Sequence, residues 1–348
     1  MTKTNQKKSW LGYLLKFGVP FVVSVGLCYL LSTGIDFKEM MEIIRRECNF
    51  WWIALAMGMT VCSHIARAYR WRIQLRALQV YPPVYALIYS IFGTYAVNLV
   101  FPRLGEMWRT GYIAQRQDAP FPAVFGSMIA DRLSDTVTVF LLLCLTFVLA
   151  SDAILDYLGQ NGDGFEAIVD FCRSPWLWLS VVAVIALFVA FMLVRTDNRW
   201  ILGTRKAIKG LWEGFAVVFH MERSGLWLLL TAVIWGCYFM QMWVCFYAFP
   251  FTEQLLQDHG GIVVLVSFVL GSISMAVPSN GGIGPWQWAV IFALGIYGLD
   301  NVHASAFANL VKGCDTLLLI ILGIITFIGI ALDRKRTARG AADGSKQQ

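Results

Sequence analysis

Residues 131–150 read Asp131-Arg132-Leu-Ser-Asp135-Thr-Val-Thr-Val-Phe-Leu-Leu-Leu-Cys-Leu-Thr-Phe-Val-Leu-Ala150, so charged side chains open a long apolar run. The stretch Lys312-Gly-Cys-Asp315-Thr316 repeats this opening 180 residues later, and a second apolar run follows it. Thr146-Phe147-Val148 falls opposite Thr326-Phe327-Ile328 at the same offset. Because charges inside apolar spans are costly, their repetition indicates an internally repeated membrane protein with a polar path between its halves. The alternative is chance, since apolar helices resemble one another.

The composition indicates a membrane protein. Charged residues make up 14% of the chain, whereas a soluble domain carries about 25%. The apolar residues fall in runs of about 20, the length that an α-helix needs to cross the hydrocarbon core. We predict an all-α, polytopic transmembrane helical bundle with about 7–9 membrane segments. It forms one membrane domain, 1–332, followed by a basic, polar and disordered tail, 333–348.

The charged loops predict the orientation of this bundle. Lysines precede the first span, about 11–31, and arginines follow the second, about 50–66, and the last, about 304–332. Positively charged loops stay in the cytoplasm, which places both termini there, in a plasma (inner) membrane protein. The acidic loop 152–170 and a short loop near Glu253 and Asp258 are predicted to lie outside. We interpret the run Arg67, Arg70, Trp71, Arg72 and Arg76 as topology anchors with an aromatic belt residue, a substrate role being the alternative.

Further spans are predicted at 121–150, 175–194 and 226–250, and an interfacial or solvated helix at 199–222. Another apolar run covers 286–298. Two other apolar stretches, 84–100 and 261–277, end at prolines and predict broken or re-entrant helices. The loop charges orient the helices after Arg132 and Lys312 in opposite directions, which predicts inverted repeats, about 50–150 and 226–332. An ordinary span and a plain glycine-rich loop are the alternatives. The predicted break residues are Pro102, Gly105, Pro278, Gly281, Gly282, Gly284 and Gln287.

Charged residues near these breaks are candidates for a head-group path. Asp131 and Asp135 share a helix face, Arg132 can pair with Asp135, and Lys312 can pair with Asp315. The helices that follow extend about 22 Å and about 24 Å, which places the two clusters near opposite membrane faces, as two entrances of one path. Arginines beside a helix N-terminus favour phosphate. Ordinary interfacial pairing and a capped turn are the alternatives. The predicted path residues are Asn98, Arg103, Glu106, Arg109, Asp131, Arg132, Asp135, Lys312 and Asp315.

Several function classes lack support in the sequence. No Gly-x-x-x-x-Gly-Lys, His-Glu-x-x-His or Gly-x-Ser-x-Gly motif occurs, so we expect no enzyme activity, no cofactor and no metal. A basic face on a soluble module is also missing, so nucleic acid is not an expected partner. Cys48 and Cys172 fall in loops assigned to the same side, which leaves one disulfide open.

The motifs Asn98-Leu-Val-Phe-Pro102-Arg103-Leu-Gly105-Glu106, Asp131-Arg132-Leu-Ser-Asp135 and Pro278-x-x-Gly281-Gly282-Ile-Gly284 resemble the lysylphosphatidylglycerol synthase transmembrane-region family of flippase-like proteins. The resemblance covers nearly the whole chain. It implies a translocase for membrane lipids or lipid carriers of phospholipid or polyprenyl-phosphate type. Gln287 stands where the family usually has glutamate, and no aminoacyl-transferase domain follows residue 348, so we expect no synthase activity. The alternative is a non-transporting scaffold or accessory subunit of a lipid-modifying or glycosyl-transfer enzyme.

Overall fold

The computed structural model of the protein describes residues 37–150, Trp212 and residues 221–344, with side chains up to Asp333. Within these ranges every regular element is an α-helix, which confirms the predicted class. The predicted features at 11–31, 152–170, 175–194 and 199–220, apart from Trp212, lie outside the described residues, as does Cys172. The ten helices are α1 Phe37–Glu47, α2 Phe50–Ala77, α3 Val84–Val100, α4 Leu104–Arg116, α5 Phe121–Leu149, α6 Ser224–Phe246, α7 Pro250–His259, α8 Gly261–Ser274, α9 Pro285–Ile296 and α10 Asn301–Gly344.

Three of the described helices are long and apolar enough to cross a membrane, namely α5, α6 and the Asn301–Asp333 part of α10. Two bent pairs can each form one further span: α1 with α2, bent by 90°, and α7 with α8, bent by 112°. The described residues thus supply three spans, or up to five when each bent pair counts as one.

Three predicted boundaries are wrong. The basic run after residue 66 is not a turn, because α2 continues without a proline or glycine to Ala77. The short loop expected near Glu253 and Asp258 is helix α7, which begins with Pro250 at its first position, where a missing N–H costs nothing. The tail is helical to Gly344, since alanine, lysine and arginine favour the helix that α10 has already nucleated.

Two hydrophobic cores share helix α2. Its first half contributes Ile53 to a large core that includes Phe246 of α6 and Phe307 of α10. Its second half contributes Trp71 to a smaller core with residues of α3, α4 and α5, among them Leu87. The part of α2 between these two cores carries buried polar side chains, so a polar layer separates them.

Helix α3 lies close against α10. A Cβ atom added at Gly323 would overlap the Cβ of Ala96, and one added at Gly329 would lie 2.6 Å from the Tyr89 hydroxyl. The two glycines of α10 therefore permit a close approach that larger residues would prevent. This packing brings the first half of the chain against the last helix.

The chain breaks its helices at two places. Between α3 and α4, Arg103 has a left-handed backbone with φ 61°, and Oδ1 of Asn98 accepts a 2.8 Å hydrogen bond from the Gly105 N–H. Between α8 and α9, Gly281, Gly282 and Gly284 have φ of 62°, 80° and 93°, values that glycine adopts without strain. Each break is thus followed by a new helix N-terminus, that of α4 or that of α9.

Candidate functional site

Helix α2 carries a stripe of buried polar side chains. They recur at helical spacing, so they share one face, and each is less than 5% exposed. The stripe consists of Thr60, Ser63, His64, Arg67, Arg70 and Gln74. Because a buried arginine needs partners, this face must meet acceptors from other helices.

Two carboxylates of α5 supply those acceptors. Arg70 donates from Nε and Nη2 to Oδ1 of Asp131, at 3.0 Å and 2.7 Å, and from Nη2 to Oδ1 of Asp135 at 2.8 Å. Arg67 donates from Nη1 to the other oxygen of Asp135 at 2.5 Å. Asp131 and both arginines have buried side chains. The interpretation of Arg67 and Arg70 as topology anchors is therefore wrong, since both arginines lie in the interior with acidic partners.

Helix α4 adds a third buried arginine. Nη2 of Arg109 lies 3.3 Å from Oδ2 of Asp131, and its guanidinium stacks 4.6 Å from the ring centroid of Trp71. Trp71 is fully buried and donates from Nε1 to the Ser127 hydroxyl at 3.1 Å. Trp71 is thus a platform inside the protein rather than the predicted belt residue.

Arg132 and Glu106 form the more open edge of the cluster. Nη2 of Arg132 lies 3.3 Å from Oε1 of Glu106, and its Nη1 lies 3.9 Å from Oδ2 of Asp135. Asn98 donates to Oε2 of Glu106 at 3.2 Å. The Arg132 side chain is 33% exposed and that of Glu106 is 20% exposed, whereas the other charges of the cluster are at most 12% exposed. A solute would therefore first meet Arg132 and Glu106.

Helix α6 closes the cluster with three residues that the sequence analysis did not identify. Nη1 of Arg70 donates to Oγ1 of Thr231 at 3.3 Å, and the Arg70 guanidinium lies 5.7 Å from the Trp227 ring. The Tyr238 ring lies 6.0 Å from the Arg67 guanidinium. These residues lie on one helix face at spacings of four and seven. In an apolar span this pattern cannot be recognised until the packing of α6 against α2 is known.

The charges in this cluster do not cancel. Among the described side chains, four guanidinium groups face three carboxylates, so one positive charge is in excess there. Four guanidinium N–H positions are also buried without an acceptor among the described residues: Nε of Arg67, Nε and Nη1 of Arg109, and Nε of Arg132. Unpaired buried donors are expensive, and an anion supplies both the missing acceptors and the missing charge.

A second, smaller cluster lies beside the glycine-rich break. Nζ of Lys312 lies 3.5 Å from Oδ2 of Asp315 and 5.7 Å from the Trp286 ring centroid, and Lys312 is buried. A Cβ atom on Gly282 would lie 3.5 Å from that ammonium, so the break and the lysine adjoin. Oε1 of Gln287 accepts a 2.7 Å hydrogen bond from the Gly284 N–H and so caps α9.

The two helix breaks contact each other. Arg103 donates from Nη2 to the carbonyl oxygen of Ala276, and a Cβ atom on Gly281 would lie 2.5 Å from Cδ2 of Leu99. Arg103 therefore lies at the second break rather than in the first cluster. Among the described side chains, no ion pair joins Lys312 or Asp315 to the arginine cluster.

Cys48 is a free thiol, and its predicted partner lies outside the described residues. Within residues 37–150 and 221–333 no group of three or more His, Cys, Asp or Glu side chains is placed to hold a metal ion. The arrangement found here thus offers charge and hydrogen-bond donors to an anion.

Comparisons with known proteins agree with a membrane protein of this kind. The family model "Lysylphosphatidylglycerol synthase TM region" matches residues 18–323. "Glycosyltransferase AglD" from Haloferax volcanii is 28% identical over 166 residues, a match that covers 45% of this chain and 26% of that protein. The chain thus aligns with only about a quarter of this relative's length. No solved structure matches the chain.

Proposed function

The chain belongs to the lysylphosphatidylglycerol synthase transmembrane-region family, and we propose that it is a flippase-like translocase for an anionic membrane lipid or lipid carrier. The head group is of phospholipid or polyprenyl-phosphate type. The observation that carries this proposal is the buried arginine cluster with one positive charge in excess and four N–H positions without an acceptor. In a bundle of apolar helices such a cluster is costly unless an anion uses it.

Phosphate suits the arginines of this cluster. A guanidinium presents paired N–H groups that match two phosphate oxygens, and its charge persists in an apolar surrounding. Arg132 and Glu106, at the more exposed edge, would meet the head group first. Deeper in the bundle, N–H groups of Arg109 and Arg67 would replace the hydrogen bonds that the head group loses when it leaves water. The acyl or prenyl chains would stay in lipid beside the apolar faces of α5 and α10.

The helix pattern supports an inverted repeat. The first residues of α3, α4 and α5 precede those of α8, α9 and α10 by 177, 181 and 180 residues (261−84, 285−104 and 301−121). Each half would then consist of a helix, a break, a second helix and a long span, within a bundle of 7–9 membrane segments. Breaks that meet at the repeat interface are the places where transporters bind their substrates.

A contact between the halves is suited to open and close during transport. Nη1 of Arg116 on α4 lies 2.5 Å from Oδ2 of Asp333 on α10, and its Nη2 donates to the Tyr85 hydroxyl at 2.6 Å. With both termini in the cytoplasm of a plasma-membrane protein, this contact lies on the cytoplasmic side. Separation of Arg116 from Asp333 would let α4 move relative to α10 and expose the arginine cluster.

A second candidate function is that of a non-transporting accessory subunit of a glycosyl-transfer enzyme. The 166-residue similarity to a protein named glycosyltransferase favours it, although it covers less than half of this chain. In that case the arginines would be structural, and the purified chain would show no lipid movement. Co-purification of a stable enzyme partner, together with absent flip activity, would favour this candidate.

The decisive test is a flip assay in vesicles that contain the purified protein and a fluorescent anionic phospholipid. Arg132→Ala and Lys312→Ala should each slow transport at least tenfold, because each removes a cation from one of the two clusters. Arg46→Ala is the matched control, since Arg46 is 76% exposed on α1 and pairs only with Glu42 among the described side chains. Wild-type rates in both cluster variants would refute the role given to these charges.

A further inference from the structure

The charge balance of the arginine cluster selects between kinds of phosphate. Phosphodiesters carry one negative charge over the whole physiological pH range, whereas phosphomonoesters lose a second proton near pH 6 and become dianions. Within residues 37–150 and 221–333 the cluster contains four guanidinium groups and three carboxylates, so it lacks one negative charge. A monoanion would neutralise it, and a dianion would leave one uncompensated negative charge in an apolar bundle.

We propose, on the basis of the proposed function, that the head group bound at this cluster is a phosphodiester monoanion and that phosphomonoester dianions, including free polyprenyl phosphate, are excluded. The hydrogen-bond donors of the cluster support this assignment. Three of the four donors without an acceptor belong to the buried Arg67 and Arg109, and the fourth belongs to Arg132. Carboxylates hold these side chains through one nitrogen each: Asp135 through Nη1 of Arg67, Asp131 through Nη2 of Arg109 and Glu106 through Nη2 of Arg132.

Among the side chains that the structure describes, further cations that could balance a second negative charge are not paired with this cluster. Lys312 pairs with Asp315, and Arg103 donates to a backbone carbonyl at the second break. His64 is buried one turn before Arg67 on the same helix. Its Nδ1 lies 3.3 Å from the Tyr238 hydroxyl, and its ring stacks on Tyr95. Neither tyrosine supplies positive charge.

The test measures binding of short-chain lipids to the full chain in detergent by titration calorimetry. Dihexanoylphosphatidylglycerol is the phosphodiester, and dihexanoylphosphatidic acid is the monoester with the same tails. Between pH 6 and pH 8 the affinity for the phosphodiester should change less than threefold. The affinity for the monoester should fall about tenfold for each pH unit above its second pKa, because only its monoanion binds. Equal affinities for both lipids at pH 8 would overturn the inference.

A variant that removes one negative charge from the cluster tests the same inference in the other direction. Glu106→Gln keeps the shape of a 20% exposed side chain and raises the excess to two positive charges. Monoester binding at pH 8 should then rise about tenfold relative to phosphodiester binding, because the second positive charge balances the dianion. The matched control is Glu42→Gln on α1, at a 56% exposed carboxylate that should leave both affinities unchanged. An unchanged monoester affinity in Glu106→Gln would contradict the charge argument.

Two further outcomes separate this inference from the proposed function. Binding of neither lipid would overturn the proposed function, and this inference with it. Dimethyl phosphate has the same charge without acyl chains and should bind at least tenfold more weakly than the phosphodiester lipid. Equal binding of dimethyl phosphate would assign the site to a free anion and would overturn its assignment to a lipid.

Discussion

Replacement of Arg70 by methionine should show how strongly the cluster depends on its central cation. Arg70 is fully buried and makes hydrogen bonds of 3.0 Å and 2.7 Å to Asp131 and 2.8 Å to Asp135. Methionine is similar in length but leaves these carboxylates with only Arg67, Arg109 and Arg132 as cations. Breaking a buried pair in this way costs about 3–5 kcal/mol of the free energy of unfolding.

The double variant distinguishes pairing from simple loss of volume. Removing Asp131 as well, in Arg70→Met with Asp131→Leu, takes away the buried carboxylate that loses two hydrogen bonds when Arg70 is replaced. The double variant should therefore lose less free energy of unfolding than the sum of the single variants, by roughly 1.5–3 kcal/mol. Two independent sites would instead add to within about 0.5 kcal/mol.

Denaturant unfolding in detergent micelles measures these differences through tryptophan fluorescence, since Trp227 lies 5.7 Å from the Arg70 guanidinium. Arg46→Met is the matched control, because its partner Glu42 and Arg46 itself are exposed, and surface pairs contribute little. Additive losses in the two single variants would refute the reasoning. So would a loss in Arg70→Met no larger than in Arg46→Met.

The remaining predictions concern the helix break and a helix start. Gly105→Ala should destabilise the protein by about 1–3 kcal/mol, because its Cβ would overlap the Thr94 carbonyl oxygen. Gly58→Ala is the control, since its Cβ would have no atom within 4 Å, and it should stabilise α2. Thermal unfolding compares the two variants. Asp300→Ala should cost about 1 kcal/mol, because the carboxylate caps α10. Burial raises the pKa of Asp300, but hydrogen bonds from His303 outweigh it, so this pKa lies below its usual value. The stabilisation that the charged cap contributes should thus be present above about pH 4 and lost as the pH falls through the lower folded-state pKa. Unfolding of the wild type and of Asp300→Ala at pH 3 and at pH 6 measures this loss.

The positions of the helices follow closely from local features of the chain. The apolar runs predicted at 121–150, 226–250 and 286–298 appear as α5, α6 and α9, with boundaries that differ by at most four residues. Prolines, glycines and hydropathy act within a few residues, which is why such segments can be read without knowledge of their neighbours. The end of α2 was predicted wrongly from the same local features, because arginines that follow an apolar run usually mark the end of a span.

The candidate site was only partly accessible to that reading. Asp131, Asp135, Glu106 and Arg109 were selected because they are charged residues close to apolar runs or a helix break. The arginine-rich run predicts a cytoplasmic surface position for Arg67 and Arg70. Their spacing, however, continues the polar stripe of α2, and that stripe is the sequence signal that indicates a buried position for both side chains. The residues of α6 carry no charge, so nothing in their own sequence distinguishes them from ordinary membrane-facing positions.

The sequence by itself determined that this protein is a helical membrane protein with breaks near Pro102 and Pro278, because hydropathy and backbone restrictions are properties of short segments. Only the tertiary structure decided which charges meet. Arg67 and Asp135 are 68 residues apart, and the packing of α2, α4, α5 and α6 brings them within 2.5 Å. Burial then decides what that contact means. A guanidinium in water is an anchor, whereas the same group enclosed by helices must be neutralised by carboxylates or by a bound anion.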